Sequence, residues 1–138
     1  MMCDCVFCKI GSGEIKGLRI FENKFAVAFM DLAKDYDGHI LVIPKEHFEN
    51  IMECPEDVMK EVMSVVRLVS KHLVEKCGYE GVDIMSANGV AAGQSLYHLH
   101  MHIIPRRKND GLGEVGEWPT PKGAVEDIMK VYEKLRMI

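Results

Sequence analysis

The segment of residues 97–106 reads YHLHMHIIPR, and its alternation of histidine and apolar residues predicts a β-strand. Three histidines, His98, His100 and His102, stand at every second position. Alternate residues of a strand share a face, so this spacing predicts that the three imidazoles line one side. The residues predicted to pack on the other side are Tyr97, Leu99, Met101 and Ile103.

Hydrophobic patterns outside this segment predict the other elements of an α+β fold. Four more strands are predicted at residues 19–21, 25–30, 39–44 and 82–88, helices at residues 55–77 and 123–137, and a short turn or helix at residues 5–10. The long helix has an apolar stripe of Val58, Val62, Val65, Val66, Val69, Leu73 and Val74. We expect a single domain over residues 1–138, in which residues 107–138 form a C-terminal loop and helix.

Composition narrows the class of protein. The chain has 138 residues and a formal net charge of −4, which argues against a nucleic-acid partner because such proteins present a basic face. Residues 84–105 form the longest stretch without Asp, Glu, Lys or Arg. They include polar side chains and glycines, so no membrane association is expected. No signal peptide is recognised, and we expect a cytoplasmic protein. There the five cysteines favour thiols or metal ligands over disulfides.

Two kinds of chemistry fit the spaced histidines. Three histidines that converge from one strand can form a catalytic zinc centre. Imidazole is also a good nucleophile near neutral pH, and neighbouring imidazoles can donate hydrogen bonds to phosphate oxygens. The preceding residues 88–95, NGVAAGQS, supply glycines for close backbone approach, amides and a hydroxyl, which suit a phosphate and are not needed by a metal. The sequence therefore favours phosphoryl chemistry.

Three separated segments carry a resemblance to a known family. Residues 38–47 (GHILVIPKEH), 88–95 (NGVAAGQS) and 98–104 (HLHMHII) together resemble the histidine-triad (HIT) superfamily, in particular the branch of histidine-triad nucleotide-binding proteins. The resemblance implies a five-stranded antiparallel sheet with one long helix and a C-terminal helix. It also implies a homodimer in which the sheet continues into the second copy.

The resemblance implies a hydrolase that cleaves a purine nucleoside phosphoramidate, or a related nucleotide conjugate, at its α-phosphorus. His100 would be the nucleophile and form a nucleotidyl-histidine intermediate. His102, Gln94 and Ser95 would hydrogen-bond phosphate oxygens, and His39 would support the triad from the neighbouring strand. No cofactor is expected for the chemistry. Hydrolysis of dinucleoside polyphosphates, nucleotidyl transfer and a non-enzymatic nucleotide-binding adaptor remain alternatives.

The same resemblance implies contacts to the nucleoside. Asp31 would bind the ribose hydroxyls, as carboxylates do in dinucleotide folds. Phe7, Ile10, Phe29 and Leu32 would form an apolar slot for the base, and Asn88 would add a contact from the glycine loop. Each residue has a plainer interpretation: Asp31 and Asn88 are also typical of turns, and the apolar residues of a core.

A structural zinc site is also expected. Cys5 and Cys8 have the short spacing of metal ligands, and Cys3 is close enough to exchange roles with Cys5. The resemblance implies that His47 and His98 complete a closed Cys₂His₂ set, which leaves no position open for catalysis. The alternative is a pair of buried thiols, with His98 hydrogen-bonded to the backbone.

Overall fold

The computed structural model describes residues 5–33 and 35–138. Cys3 lies outside these residues. The helices are α1 (Val6–Ser12), α2 (Glu56–Glu75) and α3 (Ile128–Leu135). The strands are β1 (Arg19–Glu22), β2 (Ala26–Met30), β3 (Ile40–Pro44), β4 (Gly81–Met85) and β5 (Met101–Arg106), with a short 3₁₀ turn at Val90–Ala92. All five strands pair antiparallel in the order β1-β2-β3-β5-β4, which confirms the predicted sheet and its two accompanying helices.

Both faces of the central strands are covered, so β2 and β3 are buried along their whole length. Successive side chains point to opposite faces. One face packs in the main core against α2 and α3, and its central residues are Ala28, Val42 and Met101. The opposite face packs against α1, where the second cluster contains Phe7, Ile10, Val27, Phe29, Leu41 and Ile43.

The register of β3 and β5 decides which histidine joins this second face. Leu41 pairs with His102, so the His102 side chain lies on the α1 side of the sheet. His39, two residues before Leu41, has the same orientation and is diagonal to His102. The strand register thus brings together two histidines that are 63 residues apart in the sequence.

The predicted strand at residues 97–106 is too long. Strand β5 begins at Met101, and the chain bends at residues 96–98. The amide of Leu99 donates to the carbonyl oxygen of Phe48 instead of joining the sheet ladder. Leu99, Met101 and Ile103 pack in the main core as predicted, whereas Tyr97 is 45% exposed and does not.

Two helix predictions also need correction. Val74 is exposed, because α2 ends at Glu75 and its buried stripe stops with Leu73. The C-terminal helix begins at Ile128, not at residue 123, since Asp127 caps it by accepting hydrogen bonds from the amides of Met129 and Lys130. None of the helices in residues 5–33 and 35–138 has the length and hydropathy that a membrane crossing requires.

Candidate active site and metal centre

A cleft of about 440 Å³ opens between α1 and the sheet face that it covers. Its apolar part includes Phe7, Ile10 and Phe29, the predicted base contacts, with Leu32 65% exposed at the rim. Its polar lining comprises Asp31, Ser95, His100 and His102. Seven of these eight predicted contact residues thus surround the cleft, and Leu32 lies at its edge. The arrangement suits a small ligand with one apolar and one polar end.

The ring of His100 is held by the main chain at one nitrogen. Its Nδ1 atom lies 2.7 Å from the carbonyl oxygen of His98, so Nδ1–H donates and the proton of a neutral ring is placed there. Nε2 then carries the lone pair. Phe7 packs edge-on at 5.3 Å between ring centroids. A fixed tautomer of this kind is what a nucleophilic imidazole requires.

His102 is joined to His39 and, through it, to Asp31. His102 Nδ1 lies 2.8 Å from His39 Nε2, and the two rings are nearly parallel, with centroids 5.0 Å apart. His39 is 4% exposed, and its Nδ1 lies 3.3 Å from Oδ2 of Asp31. The other oxygen of Asp31, Oδ1, accepts a hydrogen bond from the amide of Ala33. Asp31 is thus both a turn-forming residue and the charged partner of His39.

Burial keeps this histidine pair neutral. Burial first, and then the neighbouring His39 and His100, lower the pKa of His102 to about 4, while Asp31 opposes this shift. Burial also lowers the pKa of His39, against the opposing charges of Asp31 and Asp35. Both rings are therefore uncharged at neutral pH in the free protein.

Gln94 and Asn88 do not face the cleft, contrary to prediction. Gln94 is 5% exposed; its Oε1 accepts from the amide of Gly89, and its Nε2 donates to the carbonyl oxygens of Glu49 and Leu96. These bonds use the amide to hold the glycine loop, so the group is not directed at a phosphate.

Asn88 is used in the same way, because its Oδ1 accepts from the amide of Ile51 and its Nδ2 donates to Ser86. The loop around it bends at Gly89 and Gly93, whose φ angles of 95° and 89° favour glycine. Ser95 emerges from this loop into the cleft.

The sequence interpretation missed several lining residues of the cleft. Leu41 lies beside Phe29 and opposite His102 in the sheet, and the period-two alternation of β3 is a signal that could have placed it there. Ile15 and Leu18 come from the irregular segment between α1 and β1. No periodicity marks that segment, so its contribution is not visible in the sequence.

The four predicted zinc ligands meet at the N-terminal half of α1. Ligand atoms of Cys5, Cys8, His47 and His98 all lie within 4.8 Å of one another. The Sγ of Cys8 is 3.2 Å from Nδ1 of His47 and 3.5 Å from Nδ1 of His98, and the Sγ of Cys5 is 3.4 Å from the latter atom. Tetrahedral zinc, with Zn–S of about 2.3 Å and Zn–N of about 2.0 to 2.1 Å, separates sulfur from nitrogen by about 3.6 Å. The four residues fit such an ion.

Local packing explains why these ligands meet. A Cβ at Gly11 would lie 2.9 Å from the carbonyl oxygen of Lys45, so glycine lets α1 approach the end of β3 closely. That approach places Cys8 beside His47. His98 is fully buried, and its Nε2–H donates to the carbonyl oxygen of Pro44 at 2.8 Å, which leaves Nδ1 for a metal.

A catalytic centre made of the three triad histidines finds no support in residues 5–33 and 35–138. The metal-capable groups there are the Cys₂His₂ set and a set of Asp31, His39 and His102. The Nδ1 atoms of His98 and His100 face different partners, a pair of thiols and a carbonyl oxygen. The His98 ring packs against His47 at 5.0 Å between centroids, whereas the His100 ring packs against His102.

Comparison with known families agrees with this geometry. The family model described as "HIT domain" matches residues 12–109. The chain belongs to the HIT domain family. A relative from Bacillus subtilis named "Protein hit" is 36% identical over 133 residues, which are 96% of this chain and 92% of the relative. An adenosine 5′-monophosphoramidase from Schizosaccharomyces pombe is 36% identical over 132 residues, or 95% of each chain.

Solved structures of HIT proteins have the same fold. A zinc-bound histidine triad family protein from Mycobacterium smegmatis has a TM-score of 0.83 and 29% identity, covering 96% of this chain and 91% of that one. This HIT chain therefore shares its five-stranded sheet and flanking helices with a relative described as binding zinc. The Cys₂His₂ set found here is consistent with a structural zinc ion.

Proposed function

We propose that this HIT protein hydrolyses purine nucleoside phosphoramidates, or related nucleotide conjugates, at the α-phosphorus through a nucleotidyl intermediate on His100. The observation that carries the proposal is the fixed tautomer of His100, whose Nδ1–H binds the His98 carbonyl and whose Nε2 is left as a nucleophile in the cleft lining. The similarity to an adenosine 5′-monophosphoramidase supports the same reaction class.

The cleft matches the parts of such a substrate. Phe7, Ile10 and Phe29 offer apolar surface for a base, and Asp31 offers carboxylate oxygens for ribose hydroxyls. His100, His102 and Ser95 lie at the polar end, where the α-phosphate would be bound. We assign no phosphate contact to Gln94, because its side chain is committed to the loop.

In the first step, Nε2 of His100 attacks the α-phosphorus and the bond from phosphorus to the leaving nitrogen breaks. The amine departs with that electron pair and takes up a proton from solvent water in the open cleft. In the second step, water attacks the same phosphorus, the bond to Nε2 breaks, and its electron pair returns to the imidazole. Hydrogen-bond donors around the phosphoryl oxygens stabilise the charge that develops in both steps.

Zinc has a structural part in this proposal. Cys5, Cys8, His47 and His98 would hold it, and when bound it supplies rigidity, not an open coordination site. It would tie α1, which carries Phe7, to the segment that precedes His100. The reaction itself is carried by the side chains.

A homodimer is the second part of the proposal. Strand β4 forms one edge of the sheet, and its Ile84 is 38% exposed. Met63 on α2 is also exposed, at 41%. An open edge strand together with exposed apolar side chains is typical of a surface that pairs with a second copy.

Trapping the intermediate tests the hydrolase. Wild type and His100→Ala are mixed with adenosine 5′-phosphoramidate labelled at the α-phosphorus and quenched in base. We expect acid-labile label on wild type and none on His100→Ala. His72→Gln is the matched control, because His72 binds the carbonyl oxygen of Leu135 on α3 and lies outside the cleft lining.

Circular dichroism shows whether His100→Ala keeps its fold. Nucleotide binding without hydrolysis or label on the wild-type protein would overturn the proposal in favour of a nucleotide-binding adaptor. Label retained on His100→Ala would mean that another residue is the nucleophile.

A further inference from the structure

A chain of three polar side chains beside the cleft connects the proposed ribose contact, Asp31, with the proposed phosphate contact, His102. Asp31 Oδ2 lies 3.3 Å from His39 Nδ1, and His39 Nε2 lies 2.8 Å from His102 Nδ1. His39 is almost completely buried between the other two. Asp31 and His102 both line the cleft, whereas His39 does not.

Only one of the two nitrogens that meet between the rings can carry a proton when both imidazoles are neutral. If His39 holds its proton on Nε2, its Nδ1 lone pair faces the Asp31 carboxylate at 3.3 Å, which is a repulsive contact in a buried site. If His39 holds it on Nδ1, the N–H dipole faces that charge. Within residues 5–33 and 35–138, His39 Nδ1 makes no hydrogen bond, so the carboxylate of Asp31 at 3.3 Å is the charged group that acts on it. The charge of Asp31 therefore selects the second arrangement.

We infer that Asp31 is a positioning residue that acts through His39 to fix His102 as the tautomer with its proton on Nδ1, leaving His102 Nε2 as a proton acceptor for the cleft. This inference rests on the proposed function. It differs from the role implied by the family resemblance, in which His102 donates to phosphate oxygens, because neutral His102 in this tautomer has no proton on Nε2. The lowered pKa of His102 is consistent with a neutral ring.

A proton acceptor at this place suits the second chemical step. Water attacks the phosphorus of the nucleotidyl-His100 intermediate and gives its proton to Nε2 of His102. The bond from phosphorus to His100 Nε2 breaks, and the electron pair stays on that nitrogen. The positive charge on His102 then faces His39, whose Nδ1–H remains against Asp31, so the carboxylate stabilises the charged state through the intervening ring.

The charged groups around His39 and His102 favour proton transfer from water to His102. Asp31 and Asp35 act on the His39 side, where Tyr36 packs edge-on at 5.3 Å, and His100 is the neighbour on the His102 side. The negative charges are thus at the end of the chain remote from the phosphate. A ribose hydroxyl that binds Asp31 would share the carboxylate with His39, so sugar recognition and proton uptake depend on one side chain.

A substrate analogue without ribose hydroxyls distinguishes the positioning role of Asp31 from ribose binding. Wild type and Asp31→Asn are compared on adenosine 5′-phosphoramidate and on its 2′,3′-dideoxy analogue, which lacks both hydroxyls. We expect Asp31→Asn to lower kcat at least tenfold on both substrates, and to alter the pH profile of kcat on both. If the substitution has no effect on kcat with the dideoxy analogue, Asp31 serves ribose alone and the inference is wrong.

The free protein gives a second readout that does not depend on turnover. Nitrogen NMR of histidine-labelled protein at pH 7 is expected to show His102 protonated at Nδ1 and unprotonated at Nε2. Asp31→Asn should shift this pattern towards a mixture of tautomers, whereas Glu114→Gln, which removes an exposed carboxylate that does not act on His39 or His102, should leave it unchanged. A wild-type His102 with its proton on Nε2 would overturn the inference even if the protein proves to be a hydrolase. The NMR result also stands if no hydrolysis is found.

Discussion

The carbonyl oxygen of His98 holds Nδ1 of His100 at 2.7 Å, while the His98 ring lies among the candidate zinc ligands. One residue therefore belongs to both sites: its side chain to the metal centre and its main chain to the nucleophile. The second nitrogen of that ring is bound to the Pro44 carbonyl at 2.8 Å. A shift of the His98 ring would move the backbone that orients His100.

Cys8→Ser should therefore weaken both zinc binding and the fold. Cys8 contacts the Nδ1 atoms of both His47 and His98, and serine is a poor ligand for zinc at this position. We expect about one zinc ion per wild-type chain and much less in the variant. Loss of about 3 kcal/mol of folding free energy would lower Tm by roughly 10 °C.

Mass spectrometry for zinc and thermal unfolding measure these effects, with Cys54→Ala as the control, since Cys54 is buried in the main core away from the ligand set. Equal zinc content in wild type and Cys8→Ser would contradict the assignment of the site. A fall in Tm for both cysteine variants, with zinc retained in both, would indicate packing effects only.

The sequence predicted most of the sheet because its strands follow strong patterns. The alternating residues around His102 and the apolar run before Pro44 are typical of buried strands. Such patterns are visible in the local sequence. The strand was overextended at residues 97–100 because no local signal shows that His98 turns its ring towards Cys5 and Cys8. That contact joins segments 90 residues apart or more, so only the folded chain reveals it.

The polar residues of the glycine loop were harder to assign. Gln94 and Ser95 are adjacent, and both suit a phosphate chemically, but one is buried and the other is exposed in the cleft lining. The difference arises because Gln94 satisfies three backbone groups that the loop would otherwise leave without partners. Residue type alone does not distinguish a side chain that contacts a ligand from one that stabilises a loop through hydrogen bonds.

Paired alanine substitutions should separate these two roles. Gln94→Ala removes hydrogen bonds to Gly89, Glu49 and Leu96 and leaves buried polar groups unpaired, so it should lower the free energy of unfolding by about 1 to 3 kcal/mol. Ser95→Ala should leave stability within about 0.5 kcal/mol, since the side chain is exposed, and lower kcat by about 10-fold to 100-fold. Urea unfolding and steady-state kinetics measure both, and a Ser95→Ala protein with unaltered kcat would remove Ser95 from the site.

Acid should destabilise the protein through His102. Burial lowers the pKa of His102 to about 4 from an ordinary value near 6.5, so the unfolded chain binds a proton at a higher pH than the folded one. The contribution to stability is complete above pH 6.5 and is lost as the pH falls towards 4. Because solvent reaches the ring through the cleft, we expect a loss of about 1 to 2 kcal/mol over this range.

His102→Gln removes this contribution together with its coupling to His39, whereas groups away from this pair titrate equally in both proteins. Urea unfolding at pH 7, 6 and 5 should show a steeper fall for wild type than for the variant. Parallel curves for the two proteins would mean that His102 titrates normally in the folded state.

The open edge strand β4 is the expected dimer interface. Ile84 lies on β4, the edge strand, and its side chain is exposed although its neighbour in the sheet, Ile103, is fully buried. If β4 pairs with β4 of a second copy, Ile84→Glu places two carboxylates, one from each copy, in an apolar interface and should shift the protein from dimer to monomer at micromolar concentration. Sedimentation velocity measures this, and Val125→Glu is the control, because Val125 is 78% exposed in the loop before α3, away from the edge. A dimer that persists in Ile84→Glu, or a wild-type protein that sediments as a monomer, would contradict pairing through β4. Should the monomer form and still give the nucleotidyl intermediate, each cleft contains its own catalytic residues and the second copy serves stability alone.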